Sequence, residues 1–313
     1  VLTFFNVREM IVRSIPQTVK DAIPVGIGLF ITLIGLQNAG IIVKNPNTMI
    51  SMGDFGNHHV WIAAIGLLVT GVLYALKIHG AMLIGIIAAT IAGGIFGEIS
   101  LPQGRIISIP PSIKPIFAHF EWHNLLSIDM AIVVFTFLFV NLFDTVGTLL
   151  GVAQKAGLID KTGNFPKVKK ALFADALGTT VGAVLGTSTV TSYVESASGV
   201  ASGGRTGLTS VGTALMFAIA LFLAPLFLMV PASATAPALI IVGLFMISSV
   251  LNINFDDITE SLPAFLTVIM MPFAFSIAQG IVFGMLSFVL LKSLSGQTKQ
   301  ITPTVWVISV LFM

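Results

Sequence analysis

The sequence contains little charge. Only 9% of its 313 residues are Asp, Glu, Lys or Arg, whereas 56% are hydrophobic and the mean hydropathy is +1.02. A soluble domain carries about 25% charged residues because its surface must interact with water. A soluble protein with an oversized core is disfavoured, since even a large domain keeps an extensive water-facing surface. The composition therefore predicts a membrane protein.

Cysteine is absent, which excludes disulfide bonds and thiolate metal sites. The formal net charge of +2 is too small to indicate a nucleic-acid partner. Histidines occur only in predicted loops or at helix ends, without the spacing of a metal site. We expect interfacial positions for them: His58, His59, His79, His119 and His123. Neither a metal ion nor an organic cofactor is therefore expected.

A start methionine is also lacking. The first residues do not resemble a signal peptide, because Arg8 and Glu9 follow the apolar stretch and no small-residue cleavage site is present. We expect the chain to be a fragment that lacks its true start.

Long apolar runs dominate the rest of the sequence. A membrane-spanning helix needs roughly 20 mostly apolar residues. The predicted spans are Ile23–Val43, Val60–Leu76, Gly80–Phe96, Ile128–Val152, Lys170–Leu185, Thr206–Val230, Pro237–Leu251, Pro263–Ala278, Gly280–Leu291 and the short Ile301–Met313. Gly, Pro, Ser and Thr interrupt Thr187–Gly199 and Pro263–Gly280, which are therefore poor candidates for plain lipid-facing helices.

Basic loops predict the orientation of these spans, because Lys and Arg accumulate on the cytoplasmic side. The loop after Ile128–Val152 sets five lysines against Asp160 and is predicted to be cytoplasmic: Lys155, Lys161, Lys167, Lys169 and Lys170. Alternation then places Arg13 and Lys20 inside and the loop Lys44–His59 outside. The assignment weakens after Arg205.

Asp144 lies well inside a predicted span, with Asn141, Thr145 and Thr148 within about one helical turn. An ionisable group at this depth costs several kcal/mol and commonly has a functional role. A structural acid bonded to neighbouring helices is the alternative. We predict that Asp144 functions in binding or proton transfer.

Glu195 follows the hydroxyl-rich run Thr187–Tyr193, which suits an extended strand. Small residues follow it, so a half-helix could begin near Glu195. Irregular backbone at membrane depth is tolerated only inside protein or beside a water-filled cavity. The start of a half-helix also presents free N–H donors to a ligand. An acid that merely caps the half-helix is the alternative.

Two further features have weaker interpretations. Asp175 lies nearer the cytoplasmic end of its helix, where support of a neighbouring helix is at least as good an interpretation as substrate contact. The glycine-rich Gly203–Gly207 lacks the lysine of a phosphate-binding loop and is predicted to turn the chain.

Internal sequence similarity suggests that the chain contains two related halves. Ile27–Asn38 resembles Val242–Ile253, and Gly80–Gly85 and Gly280–Gly284 occupy related places. Transporters are often built from inverted repeats with their sites at the repeat interface.

Four motifs together resemble one family. They are Asn141-Leu-Phe-Asp-Thr-Val-Gly-Thr148, Ala171-Leu-Phe-Ala-Asp-Ala-Leu-Gly-Thr179, Gly186-Thr-Ser-Thr-Val-Thr-Ser-Tyr-Val-Glu-Ser196 and Gly203-Gly-Arg-Thr-Gly-Leu-Thr209. In this order the chain resembles the AzgA-like hypoxanthine/guanine/adenine permeases of the nucleobase–ascorbate (xanthine/uracil) transporter superfamily. The likeness runs essentially end to end.

The resemblance implies an all-α polytopic fold of two inverted seven-segment repeats, with core and gate domains and short mid-membrane strands. The first four segments would precede this chain. Residues 1–127 would hold the gate helices of segments 5–7, residues 128–230 the core segments 8–11, and residues 231–313 the gate segments 12–14. The strand at Thr187–Tyr193 would belong to segment 10.

The resemblance also implies the site. Asp144 and Glu195 would bind the purine base, with added contacts from Phe143, Ser196 and Thr148. Asp144, Glu195 and Asp175 would serve proton coupling or its support. Thr148 stands where the uracil branch has a histidine, so a histidine proton relay is not expected.

The expected function is proton-coupled uptake of guanine and hypoxanthine, ahead of adenine, across the bacterial inner membrane. The proton is the coupling ion, the lipid bilayer is the surrounding partner, and a homodimer fits the superfamily.

A uracil/xanthine transporter or an anion transporter of the same fold is the alternative. The two central acids, Asp144 and Glu195, disfavour an anion transporter. A membrane-embedded protease is disfavoured because the GxGD and GxSG motifs are missing, so no enzyme activity is expected. A structural or receptor subunit would not need buried acids at a helix break.

Overall fold

The computed structural model describes residues 7–99, 106–120, 127–160 and 165–311. It is mostly helical. The elements are α1 Val7–Ser14, α2 Gln17–Asn38, β1 Ile42–Asn45, β2 Met49–Met52, α3 His58–Ala75, α4 Ala81–Ile95, α5 Ile128–Lys155, α6 Val168–Leu185, α7 Ser196–Ala201, α8 Gly207–Phe222, α9 Ala224–Phe227, α10 Ala232–Ile247, α11 Ile258–Phe273, α12 Ile277–Leu294 and α13 Pro303–Leu311. Short 3₁₀ turns occupy Ser248–Asn252 and Thr298–Gln300.

The length and composition of several helices suit a membrane. Among the described residues, those long and apolar enough to cross it are Gln17–Asn38, His58–Ala75, Ala232–Asn252 and Ile277–Leu294. Shorter apolar helices occupy Ala81–Ile95, Gly207–Phe222 and Ile258–Phe273. These helices agree with the predicted polytopic membrane protein.

The chain forms two compact units. The first comprises Val1–Phe30, Ser112–Ala197 and Met246–Met313, and the second comprises Ile31–Pro111 and Ser198–Phe245. In the first unit α11 packs along α12, and α12 also contacts α5 and α13. In the second unit α3 packs along α4. Both packed pairs are antiparallel neighbours joined by a short connection.

Threonine and glycine bring the paired helices close together. In the second unit Gly85 faces Thr70, whose hydroxyl donates 2.6 Å to the Gly66 carbonyl. Thr70 is therefore buried without an unsatisfied donor. Any side chain at Gly85 would overlap the Thr70 hydroxyl. Small residues at such a seam let two backbones approach in lipid.

The first unit repeats this arrangement between α11 and α12. Gly284 faces Thr267, which is fully buried and donates 2.8 Å to the Pro263 carbonyl. Gly280 lies against Met271 in the same seam. The close approach therefore depends on glycines that the sequence places one turn apart.

A buried ion cluster joins three helix ends in the first unit. Lys292, only 1% exposed, places its Nζ 2.8 Å from Glu260 Oε1 and 3.7 Å from Asp257 Oδ2. The same Nζ donates 2.9 Å to Gln297 Oε1, and the Thr18 hydroxyl donates to Glu260. The start of α2, the start of α11 and the end of α12 are thereby tied together.

Asp257 also caps α11 from outside the helix. Its carboxylate accepts hydrogen bonds from the Thr259 hydroxyl and backbone N–H, at 2.8 and 2.9 Å. These bonds, with a smaller contribution from Lys292, hold the pKa of the Asp257 carboxyl below its ordinary value. The cap therefore favours folding above that ordinary pKa and is lost as the pH falls through the lowered one.

Helix boundaries differ from several predicted spans. The α2 helix begins at Gln17 and ends at Asn38, six residues before the predicted Ile23 and five before Val43. Polar residues can begin a helix at the interface, and an antiparallel hairpin of β1 and β2 follows. The predicted span Thr206–Val230 is broken at Leu223, before Pro225. The chain turns between α7 and α8, as predicted for Gly203–Gly207.

The predicted strand at Thr187–Tyr193 is not formed as a strand. This segment lacks a partner strand among the described residues, and the one sheet found there pairs β1 with β2. Side-chain hydroxyls anchor the segment instead. The predicted half-helix is present as α7, which begins at Ser196, directly after Glu195.

Some predicted features lie outside the described residues. His123, Lys161 and the last two residues of the run Ile301–Met313 belong to them.

Candidate functional site

Asp144 lies in the middle of α5, half-buried within the first unit. Its carboxylate accepts a hydrogen bond from the backbone N–H of Ala278, in the first turn of α12. Free N–H groups and the positive end of the helix dipole stabilise a negative charge at that place. Gly147, one turn further along α5, allows this approach because a Cβ atom there would lie only 2.9 Å from Ile277 Cγ2.

Asp175 is linked to the same stretch of α5. It is 9% exposed on α6, and its Oδ1 accepts a hydrogen bond of 3.2 Å from the Thr145 hydroxyl. Thr145 is fully buried. This contact ties α6 to α5 beside Asp144, as the supporting interpretation of Asp175 requires. Its part in proton coupling stays a prediction.

The segment before Glu195 folds back along α6 and reaches α5. The Thr179 hydroxyl donates 2.8 Å to the Val190 carbonyl, and Val190 packs against Gly182 and Gly178. The Thr189 hydroxyl then donates 2.9 Å to Asn141 Oδ1. Asn141 lies one turn before Asp144, so the segment passes close to the predicted site.

Glu195 and Ser196 are both exposed at the junction of this segment with α7. Neither is packed into the core of the first unit. Their side chains can therefore meet a ligand, and their predicted contacts with substrate stay predictions.

Phe143 and Thr148 have buried positions. Phe143 is 1% exposed in the core, and Thr148 is 6% exposed. The Thr148 hydroxyl donates to the carbonyls of Asp144 and Thr145, at 2.9 and 3.1 Å, within its own helix. Both residues support the shape of α5 around Asp144. Contact of Phe143 and Thr148 with a substrate stays a prediction.

Three contacts around these acids are not evident from the sequence. Ala278 donates to Asp144, Thr145 donates to Asp175, and Thr189 donates to Asn141. Thr189 belongs to the hydroxyl-rich run that the sequence emphasised, so its polarity was a usable signal. The backbone N–H of Ala278 leaves no mark in the sequence, because every non-proline residue carries one.

The histidines at the start of α3 face one acid. His58 Nδ1 lies 3.8 Å and His59 Nε2 lies 3.5 Å from the Glu98 carboxylate, and His58 stacks on Phe96. No group of three His, Cys, Asp or Glu in the described part of the chain could hold a metal ion.

The comparison with known sequences decides the family. Residues 1–309 match the permease family of the xanthine/uracil type. The chain belongs to this permease family. The match extends from α1 to most of α13 and therefore includes all four sequence motifs of the permease.

Several relatives of the permease have named substrates. The adenine permease AdeP of Escherichia coli is 43% identical over 312 residues, which are 100% of this chain and 70% of the relative. The guanine/hypoxanthine permease PbuG of Bacillus subtilis is 42% identical, with 100% and 71% covered. The guanine/hypoxanthine permease GhxP of Escherichia coli O157:H7 is 32% identical, with 99% and 70% covered.

Proposed function

We propose that the permease imports purine nucleobases across the bacterial inner membrane by proton symport. The observation that carries this proposal is Asp144, a half-buried carboxylate in mid-helix with a polar neighbourhood. Relatives named for adenine and for guanine/hypoxanthine support the substrate class. A transport role, and not catalysis, accords with the names of these permeases.

The chemistry of purines fits two carboxylates. A purine base presents ring N–H groups and, in adenine and guanine, an exocyclic amine, all of which donate hydrogen bonds. Ionised Asp144 and Glu195 accept only, and each offers two oxygens. Bonds to an ionised acceptor are roughly twice as strong as neutral ones. We propose that Asp144 and Glu195 accept from the base, with Phe143, Ser196 and Thr148 shaping the site.

The relatives fall into two groups with different named substrates, adenine and guanine/hypoxanthine. Adenine and guanine/hypoxanthine permeases are almost equally similar to the chain, at 43% and 42% identity. Similarity therefore gives no reason to place guanine and hypoxanthine ahead of adenine. We propose the purine nucleobases as a class.

Proton coupling follows from the cost of a charge at this depth. The Ala278 N–H donates to the half-buried Asp144 carboxylate, so movement away from α12 would remove that hydrogen bond from a group whose charge is already costly to bury. Protonation of Asp144 or Glu195 would then lower the cost of carrying the loaded site. Asp175 would act indirectly by holding Thr145 and α5 in place.

We also propose the inverted-repeat architecture, with 1–127 and 231–313 as gate and 128–230 as core. The two helix hairpins support it. Thr70 and Gly85 in one, and Thr267 and Gly284 in the other, make the same contact, and both threonines bond the carbonyl four residues earlier. A homodimer of the whole transporter remains part of the proposal.

Uptake by variants tests the site. In cells lacking other purine permeases, Asp144→Asn and Glu195→Gln should each lower uptake of labelled adenine, guanine or hypoxanthine by tenfold or more, equivalent to about 1.4 kcal/mol. Each change keeps the side-chain shape but removes the charge. The exposed Asp256→Asn serves as the matched control and should transport normally. Wild-type uptake by both site variants at equal membrane abundance would contradict the assignment.

Proton coupling has a separate test. An uncoupler should abolish accumulation of the base by the wild-type permease while leaving equilibration intact. Accumulation that survives the uncoupler would exclude proton symport but would leave purine transport untouched. Preferential uptake of uracil or xanthine would favour the alternative substrate class.

A further inference from the structure

We propose that the first unit holds a binding site for the phosphate headgroup of an anionic phospholipid. A cavity of about 220 Å³ opens where α1 ends, α2 begins, α5 approaches its end and α6 begins. Its walls combine the charged Arg13, Lys20 and Asp160 with apolar side chains that include Leu150, Phe165 and Val168. The site is independent of the acids proposed for transport.

Lys20 is the central feature of this cavity. It is 8% exposed, although its ammonium carries a charge and three N–H donors. In the described part of the chain its Nζ donates one long hydrogen bond, 3.4 Å to the Arg13 carbonyl. The carboxylates of Asp21 and Asp160 attract it electrostatically. Phosphate oxygens in the cavity would add hydrogen-bond acceptors close to this ammonium.

The charges around the cavity favour an anion. Asp160 opposes one, and Glu9 already pairs with Arg13 at 2.7 Å. Lysines flank the same walls, however, because Lys167 and Lys169 adjoin Val168 and are exposed. The side chains that line the cavity carry two positive charges, those of Arg13 and Lys20, against the single negative charge of Asp160.

The position of the cavity selects a lipid over a free anion. It lies at helix ends, on the side that the basic loops predict to be cytoplasmic, where headgroups are found. Basic pockets between transmembrane helices on that side bind anionic headgroups. The apolar walls of Leu150, Phe165 and Val168 suit the glycerol and first acyl carbons of a lipid. A hydrated free phosphate ion gains nothing from such walls.

Thermal unfolding and lipid retention test this site. Purified permease in detergent is mixed with phosphatidylglycerol, with phosphatidylcholine or with inorganic phosphate. We expect phosphatidylglycerol to raise the melting temperature more than the other two and to remain bound in native mass spectrometry. Lys20→Met and Arg13→Gln should each remove most of that difference. Lys44→Gln, an exposed lysine on β1, should keep it.

The outcomes separate the possibilities. Equal shifts with phosphatidylglycerol and phosphatidylcholine would overturn the proposal, as would a full phosphatidylglycerol effect in both variants. The same shift with inorganic phosphate alone would show a free-anion site and would also overturn it. Arg13→Gln changes a largely exposed side chain and carries the test if Lys20→Met does not fold.

Discussion

Replacement of Lys292 by methionine is expected to destabilise the permease by about 1–3 kcal/mol. Methionine keeps most of the volume of the side chain, so the packing of α12 changes little. The ammonium that lies 2.8 Å from Glu260 is lost, and Gln297 loses its donor. Breaking a buried ion pair by removing one partner leaves the other charge uncompensated. Thermal unfolding in detergent measures the effect.

A matched lysine and a double variant complete this experiment. Lys299→Met changes an exposed lysine a few residues away and should alter stability by about 0.5 kcal/mol or less. Adding Glu260→Gln to Lys292→Met should recover part of the loss, because the charge that lay closest to the lost ammonium is then removed as well. A Lys292→Met variant as stable as the Lys299→Met control would show that the cluster does not hold these helix ends.

Substitution of Gly284 by alanine should destabilise the α11–α12 pair by about 1–3 kcal/mol. The added methyl group would overlap the Thr267 hydroxyl, which is fully buried and bonded to the Pro263 carbonyl. Either α12 moves away from α11, or Thr267 gives up its hydrogen bond. The change in melting temperature measures the cost.

The same substitution at an open glycine gives the control. Gly71 in α3 has nothing within 4 Å of an added methyl group, so Gly71→Ala should be neutral or slightly stabilising. Thr267→Ala combined with Gly284→Ala should restore stability, because it removes the overlapping hydroxyl. If Gly284→Ala changes the melting temperature no more than Gly71→Ala does, α11 and α12 do not approach as closely as described here.

The sequence predicted those parts of the fold that depend on local composition. Apolar runs located most helices, because burial in lipid requires a continuous run of about 20 such residues. Their ends were less accurate, since polar residues such as Gln17 can begin a helix at the interface. The β-hairpin was missed, because its first residues were included in the predicted span Ile23–Val43 and the rest in the loop Lys44–His59. Its β-branched Ile42 and Val43, followed by Pro46, were the signal that could have located it.

The acids of the candidate site could be chosen from the sequence, but their contacts in the fold could not. Asp144 and Asp175 were recognisable because a carboxylate inside an apolar run is rare. The bond from Thr145 to Asp175 joins residues 30 positions apart, and the bond from Thr189 to Asn141 joins residues 48 apart. Spacing within one helix cannot reveal such pairs, because the packing of different helices creates them.

The two threonine–glycine seams also bear on where a moving transporter can bend. Helices whose backbones touch along a shared line resist both sliding and splaying, since each displacement opens a void or a clash. The pairs α3–α4 and α11–α12 should therefore each move as a rigid body. We therefore expect bending during transport to occur at connections without such close packing, such as the break between α8 and α9 at Leu223.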